Sequence, residues 1–317
     1  MERVQLTLLE DSSSLYHGNR RETLPGTTPT GGRLRATFST RQVINVACVP
    51  HRSPFRYPGG KTWLVPYVRR WLTSLTSPPK EFVEPFAGGA IVGLSVLFDG
   101  LTDRLTLVEL DDDVAAVWKT ILSSRAKEFA DRITSFEVTR ETVTQILRQP
   151  PSGVLERAFA TIVRNRVQRG GIMAPGASLM KAGENGRGLH SRWYPETLRK
   201  RILSIAEKRD RISFSRGDGI QYIRQLAKRR DVVFFIDPPY TVAGRRLYVH
   251  SEIDHEELFR VVSSVRGDVL MSYDDARPIR ELARKFGFDT ENVAMKNTHH
   301  EVMSELLIGK DLDWSRR

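Results

Sequence analysis

Five consecutive apolar residues, Val232-Val233-Phe234-Phe235-Ile236, run directly into Asp237-Pro238-Pro239-Tyr240. A run of β-branched and aromatic residues without polar alternation predicts a strand buried on both faces, which belongs in a parallel sheet covered by helices. In open sheets of this kind ligands sit at the carboxyl ends of the strands. Two successive prolines hold the backbone extended there and remove two N–H donors. The carbonyls before and within the pair can then face a ligand, and the Asp237 carboxylate adds a second acceptor beside them. Two neighbouring acceptors suit an exocyclic amine, which carries two N–H groups. Tyr240 offers a flat face for stacking a planar base.

On either side of this strand the pattern is α/β. A helix is expected over 63–75, a strand over 81–84, a glycine turn at Ala87-Gly88-Gly89, a helix over 90–98, a strand over 104–109 and a helix over 114–122. The pattern resumes with a strand over 212–215, a helix over 220–226, the buried strand, a helix over 255–265, a strand over 269–272, a helix over 278–286 and a closing strand over 302–308. Residues 51–150 and 212–317 therefore read as one Rossmann-like α/β domain. Residues 151–211 read as a mainly helical insert broken by Arg169-Gly170-Gly171, by Pro175-Gly176 and by Gly183, Gly186 and Gly188. Residues 1–50, rich in Ser, Thr, Gly and Arg, read as a flexible N-terminal extension, with Val43 to Val49 a candidate first strand.

Charge sharpens this division. The chain carries a net +11, and residues 151–217 hold 14 basic and 5 acidic side chains, net +9. Excess charge concentrated in one segment points to a polyanion, because Lys and Arg displace counterions condensed on phosphates. The single cysteine, Cys48, forms neither an internal disulfide nor a cysteine zinc cluster. No apolar run reaches the length of a membrane span, and the N-terminus lacks the pattern of a secretory signal. A cytoplasmic protein without membrane contact is expected.

Two further stretches carry chemistry. The turn Glu84-Pro85-Phe86-Ala87-Gly88-Gly89 lets backbone approach a ligand at a helix N-terminus, and Glu109, with Asp111 to Asp113 behind it, ends the next strand. A carboxylate at that place commonly binds ribose hydroxyls, so this half suits an adenosine-containing cofactor. In Phe55-Arg56-Tyr57-Pro58-Gly59-Gly60-Lys61, two glycines and a lysine could hold a carboxylate.

Taken in order, the Gly-Gly-Lys turn, the glycine-rich strand end, the basic insert and Asp-Pro-Pro-Tyr resemble the DNA adenine methylase (Dam-type) family, the alpha group of N6-adenine DNA methyltransferases, over roughly residues 53–310. Gly217-Asp218 and Ser304-Glu305-Leu306-Leu307-Ile308 are similar to that family's acidic motif and closing strand. The resemblance implies a methyltransferase sheet with an inserted target-recognition region. It also implies S-adenosylmethionine as methyl donor, with S-adenosylhomocysteine as product, and no metal. It assigns catalysis to Asp237, Pro238, Pro239 and Tyr240. It assigns cofactor binding to Tyr57, Gly59, Gly60, Lys61, Glu84, Pro85, Phe86, Ala87, Gly88, Gly89, Glu109, Asp218 and Asp237. Lys61 would hold the methionine carboxylate, Phe86 and Gly88 would line the methionine site, and Glu109 would bind ribose. Glu109 replaces the more usual Asp, which makes Asp111 a rival for that role. Asp218 would bind the cofactor adenine.

The partner implied is double-stranded DNA, met by a monomer through Arg56, Arg164, Asn165, Arg166, Arg169, Lys181, Arg187 and Arg192. Asn can read adenine and Arg can read guanine in the major groove, but most of these residues are expected to meet phosphates. The insert departs from the family's usual recognition hairpin, so no target sequence follows. Three rivals stay open: an N4-cytosine DNA methyltransferase, which would more often carry Ser-Pro-Pro-Tyr; an RNA adenine methyltransferase; and a catalytically inactive DNA-binding protein. His299-His300 lacks a third ligand at metal spacing, and His250 and His255 read as polar surface or DNA-facing residues.

Overall fold

The computed structural model describes residues 49–56, 60–173, 177–181, 186–239, 253–296 and 302–316. Tyr57, Gly59, Tyr240, His250, the pair His299-His300, the turn at Pro175-Gly176, Gly183 and nearly all of the expected N-terminal extension, with the strand proposed at 43–49, lie outside them.

Seven strands form one sheet: β1 (Glu81–Glu84), β2 (Arg104–Glu109), β3 (Ile212–Arg216), β4 (Val232–Ile236), β5 (Asp268–Asp274), β6 (Asp289–Lys296) and β7 (Val302–Gly309). Their order is β3-β2-β1-β4-β5-β7-β6. The first five are mutually parallel, and β7 runs antiparallel between β5 and β6. This is the expected Rossmann-like α/β sheet, ending in an antiparallel strand pair.

The apolar run that predicted β4 works by splitting its side chains between two cores. Val233 and Phe235 join Phe82, Leu105, Leu107, Leu270 and Leu307 on one face. Val232, Phe234 and Ile236 join Val83, Val269, Met271, Leu306 and Ile308 on the other. Each face is covered by helices, so the two-residue period of the strands leaves no side for polar residues. The first face carries α1 (Val65–Ser74), α2 (Ile91–Phe98), α3 (Asp112–Ile121), α4 (Ala126–Ser135), α5 (Arg140–Arg148), α6 (Val154–Val167) and α7 (Pro195–Ala206). The second carries α8 (Gly219–Leu226), α9 (His255–Ser263) and α10 (Arg277–Lys285). A short helix, α11 (Asp313–Arg316), packs beside α1.

The sequence reading omitted α4, α5 and β6. The apolar residues of α4, Ala126, Phe129, Ala130 and Ile133, follow helical spacing and are buried. In α5 only Val143 is buried, and a Thr139–Thr142 capping box starts the helix. β6 is a polar edge strand whose ladder to β7 supplies what its side chains do not. Residues 151–211 are built into the body of the molecule. Ala158, Phe159, Ile162 and Val163 of α6 are buried in the same core as α3 and α4, while α7 packs on α4.

Candidate active site

The chain leaves β1 toward β2 and leaves β4 toward β5, so β1 and β4 flank the switch point of the sheet, beyond whose strand ends open α/β sheets bind their ligands. The turn after β1 lines one wall. Gly88 has φ 45° and Ala90 has φ 49°. Two left-handed residues close together fold the backbone back on itself, and at Ala90 the side chain makes this costly. Neighbouring elements hold the turn. Ala87 N donates to the Val108 carbonyl at 2.9 Å. Trp118 Nε1 donates to the Gly88 carbonyl at 2.9 Å, and Gly88 N donates to Glu109 Oε2 at 2.9 Å.

Glu109 is the hub of this wall. Its Oε1 accepts from Leu110 N at 2.8 Å and Asp111 N at 2.9 Å. Burial pushes its carboxyl above the ordinary range, and these three N–H donors pull the other way. Asp111, the rival for its role, caps α3 by accepting from Asp113 N and Val114 N. Asp218 likewise caps α8, accepting from Ile220 N at 2.7 Å and Gln221 N at 3.2 Å while remaining exposed. Gly217 N donates to the Glu109 carbonyl at 3.0 Å, which brings Asp218 to the same wall. The close approach depends on Gly219: a Cβ there would lie 2.2 Å from the Pro85 carbonyl oxygen and 3.2 Å from the Phe86 ring. Glu84 lies beneath. Its Oε1 accepts from Gly93 N at 2.9 Å, its Oε2 is buried without a hydrogen-bond partner, and burial pushes its carboxyl up to about 8.

The opposite wall is Asp237-Pro238-Pro239, directly after β4. Asp237 Oδ1 accepts from Ser272 Oγ at 2.9 Å and lies 3.1 Å from Lys61 Nζ. Lys61 Nζ is also 3.1 Å from Glu305 Oε1. Lys61, Ser272 and Glu305 are all buried. The lysine expected to hold a methionine carboxylate therefore stands between two carboxylates of the chain itself. Beside them, the fully buried Tyr273 shares a hydrogen bond of 3.0 Å with His255 Nδ1. Burial raises the Tyr273 hydroxyl well above its ordinary pKa and lowers that of His255.

The structure thus gathers Lys61, Glu84, Pro85, Phe86, Ala87, Gly88, Gly89, Glu109, Asp218, Asp237, Pro238 and Pro239 at and beside the carboxyl ends of β1 to β4, with Gly60 just before Lys61. Ser272, Glu305 and Tyr273 were not singled out from the sequence as site residues. The available signal was a polar residue interrupting an otherwise apolar strand. His255, expected at the surface, is half-buried.

The expected DNA contacts divide. Arg169, Lys181 and Arg187 are exposed, with Arg187 facing the Tyr194 ring. Arg164 is spent on Asp113, at 2.6 Å. Asn165, Arg166 and Arg192 are buried, at 0%, 4% and 3% exposure, which corrects the expectation that they face nucleic acid. Asn165 Oδ1 accepts from Arg56 N at 2.8 Å, and its Nδ2 donates to the Arg56 carbonyl at 2.7 Å and the Gly171 carbonyl at 3.0 Å. Arg166 Nη2 donates to the Pro54 carbonyl at 2.6 Å, and Arg201 Nη1 to the Ser53 carbonyl at 3.1 Å. These side chains hold the segment that leads toward Lys61. Arg56, half-buried, lies in that segment.

Among the described residues no group of three or more His, Cys, Asp or Glu side chains is placed to hold a metal, and no helix is long and apolar enough to cross a membrane. No family model matches the chain, and no curated protein matches it. Solved structures do resemble it. The rRNA methyltransferase aviRa from Streptomyces viridochromogenes is 12% identical over 86% of this chain and 97% of its own, with a TM-score of 0.40. A protein from Pyrococcus horikoshii, provisionally described as an RNA methyltransferase, is 11% identical over 81% and 87%, with a TM-score of 0.36. Spermidine synthase from Thermotoga maritima is 12% identical over 86% and 61%, with a TM-score of 0.33. Likeness at this level speaks to neither substrate nor reaction. The fold assignment rests on the strand order and the antiparallel β7.

Proposed function

We propose that this chain is an S-adenosylmethionine-dependent methyltransferase acting on the N6 amine of an adenine flipped from double-stranded DNA. One observation carries the reading: Asp237-Pro238-Pro239 ends the buried central strand at the switch point, opposite a glycine turn that is tied to the half-buried carboxylate of Glu109.

The crevice fits the cofactor on two counts. The approach of Gly219 to Pro85 and Phe86, too close for any Cβ, packs the Asp218 turn against the glycine turn, so that both would meet one ligand. Glu84 Oε2, buried and without a hydrogen-bond partner beneath the turn, is an unmet polar atom that a polar group of the cofactor would satisfy. Phe86, Gly88, Glu109 and Asp218 would hold the cofactor, which when bound supplies an electrophilic methyl group on a sulfonium.

The protein's task is to prepare the amine. The nitrogen lone pair of adenine is delocalised into the ring, so the amine is a poor nucleophile. Accepting its two N–H groups on Asp237 and the Pro238 carbonyl localises that pair and aims it. A base inside a duplex cannot reach this crevice, so flipping is required, and Tyr240 would replace the lost stacking. Exposed Arg169, Lys181 and Arg187 would hold phosphates.

The test incubates purified protein with labelled S-adenosylmethionine and unmethylated plasmid, then identifies the methylated nucleoside by mass. N6-methyladenine that disappears in Asp237→Ala, while cofactor binding persists, is the expected result. The loss should be at least about 10²-fold in kcat. N4-methylcytosine would move the target base, and product on RNA alone would move the polymer. Cofactor binding with no transfer to either polymer would overturn the reading in favour of an inactive binding protein.

A further inference from the structure

Trp118 lies outside the expected site, yet its indole reaches the glycine turn. It is fully buried on α3. Its Nε1 donates to the Gly88 carbonyl at 2.9 Å, and its ring packs on Phe55 with centroids 6.2 Å apart and planes at 51°. An indole has a single N–H, and here it is committed to the turn. The turn binds itself to its surroundings through other groups as well. Ala87 N donates to the Val108 carbonyl at 2.9 Å, and Ala90 N to the Ala87 carbonyl at 2.7 Å. Gly88 N donates to Glu109 Oε2 at 2.9 Å. Gly89 is buried too, but among the described residues no acceptor stands against its N–H. Buried N–H groups are almost always paired, so this one calls for an acceptor from outside the chain.

The peptide between Gly88 and Gly89 is trans, and a trans peptide points its C=O and its N–H in opposite directions. By drawing the Gly88 carbonyl toward α3, Trp118 turns the Gly89 N–H away from α3. Glycine on both sides of this peptide leaves no Cβ to resist its rotation, so the orientation depends on the anchor. We propose that Trp118 is a positioning residue of the cofactor site, holding the Gly88–Gly89 peptide so that the Gly89 N–H donates to an oxygen of S-adenosylmethionine. This rests on the methyltransferase reading and deepens it, because it names a residue that aims a cofactor donor without touching the cofactor. Without the indole N–H the peptide turns over readily, and a carbonyl oxygen then faces the ligand where a donor belongs. The Phe55 contact keeps the indole in place. Phe55 is itself followed by Arg56, whose backbone N–H and carbonyl are both held by Asn165.

Trp118→Phe keeps an aromatic ring in the core and removes the N–H. Calorimetric titration of the folded variant with S-adenosylhomocysteine is expected to show an affinity about threefold to tenfold below wild type, the range for one hydrogen bond. KM for S-adenosylmethionine should rise by the same factor, while kcat on plasmid DNA at saturating cofactor stays within about twofold of wild type. A residue that only fills the core would lower the thermal midpoint and leave both the affinity and KM of the folded protein unchanged.

A second measurement needs no substitution. Amide hydrogen exchange, followed by NMR on wild-type protein with isotopically labelled glycine, reads the two N–H groups separately. The Gly88 amide, bonded to Glu109, should exchange slowly with or without ligand. The Gly89 amide should slow at least about tenfold when S-adenosylhomocysteine is added. Wild-type affinity in folded Trp118→Phe, or a Gly89 amide whose exchange the bound ligand does not change, overturns the proposal. A wild-type protein that binds no S-adenosylhomocysteine overturns the underlying reading first, and this inference with it.

Discussion

Replacing Asn165 by Ala tests whether this residue is part of the frame or a reader of bases. The side chain is fully buried and makes three hydrogen bonds, of 2.8, 2.7 and 3.0 Å, to Arg56 and Gly171. At about 1 kcal/mol net for each, their loss costs about 3 kcal/mol. At about 2–4 °C per kcal/mol for a domain of 150–250 residues, the midpoint should fall by about 6–12 °C. Asn165→Asp should be no better, since a carboxylate loses both donors and faces two carbonyl oxygens. The measurement is a thermal melt, repeated as a urea midpoint. A melt within about 1 °C of wild type, together with methylation that loses its sequence preference, would refute the clamp and restore Asn165 as a base reader.

Glu84 makes stability depend on pH. Its folded pKa of about 8 lies above the ordinary 4.5, so between those values the folded state binds more protons than the unfolded state. The contribution is full below about 4.5 and is lost as pH rises through about 8, and Glu84→Gln should flatten that slope in urea midpoints taken across the window. Gly219→Ala should weaken cofactor binding at least tenfold by calorimetry, because its methyl would meet the Pro85 carbonyl at 2.2 Å and the turn would have to retreat; unchanged affinity would remove this wall from the cofactor site. Neutralising Arg169, Lys181 or Arg187 should each reduce the slope of log affinity for DNA against log salt by about one, with no change of site preference. An unchanged slope would place the DNA elsewhere.

What the sequence shows plainly is what depends on short-range pattern. The run Val232 to Ile236 identifies the central strand because both its faces are buried, and Asp237-Pro238-Pro239 marks its end. The turn at Gly88 and the carboxylate of Glu109 are legible because their spacing follows from one strand–helix–strand unit. Asn165 and Arg166 mislead for the converse reason. Polar residues in a basic stretch look solvent-exposed until the fold brings residues 53–56 against them, more than a hundred positions away. Ser272 and Glu305 were hidden because they interrupt apolar strands singly, and only the β4–β5–β7 pairing sets both near Asp237. β6 escaped notice because its stability comes from backbone pairing with β7 rather than from an apolar face of its own.

The place of β7 has a consequence for synthesis. It follows β6 in the chain yet enters the sheet between β5 and β6, and it carries Glu305 to Lys61, far earlier in the sequence. A nascent chain can pair β1 to β5 and still lack this carboxylate. The charge cluster is therefore completed only by the final antiparallel insertion. A chain cut short before β7 would keep its glycine turn and Asp237 but would leave Lys61 without this second carboxylate.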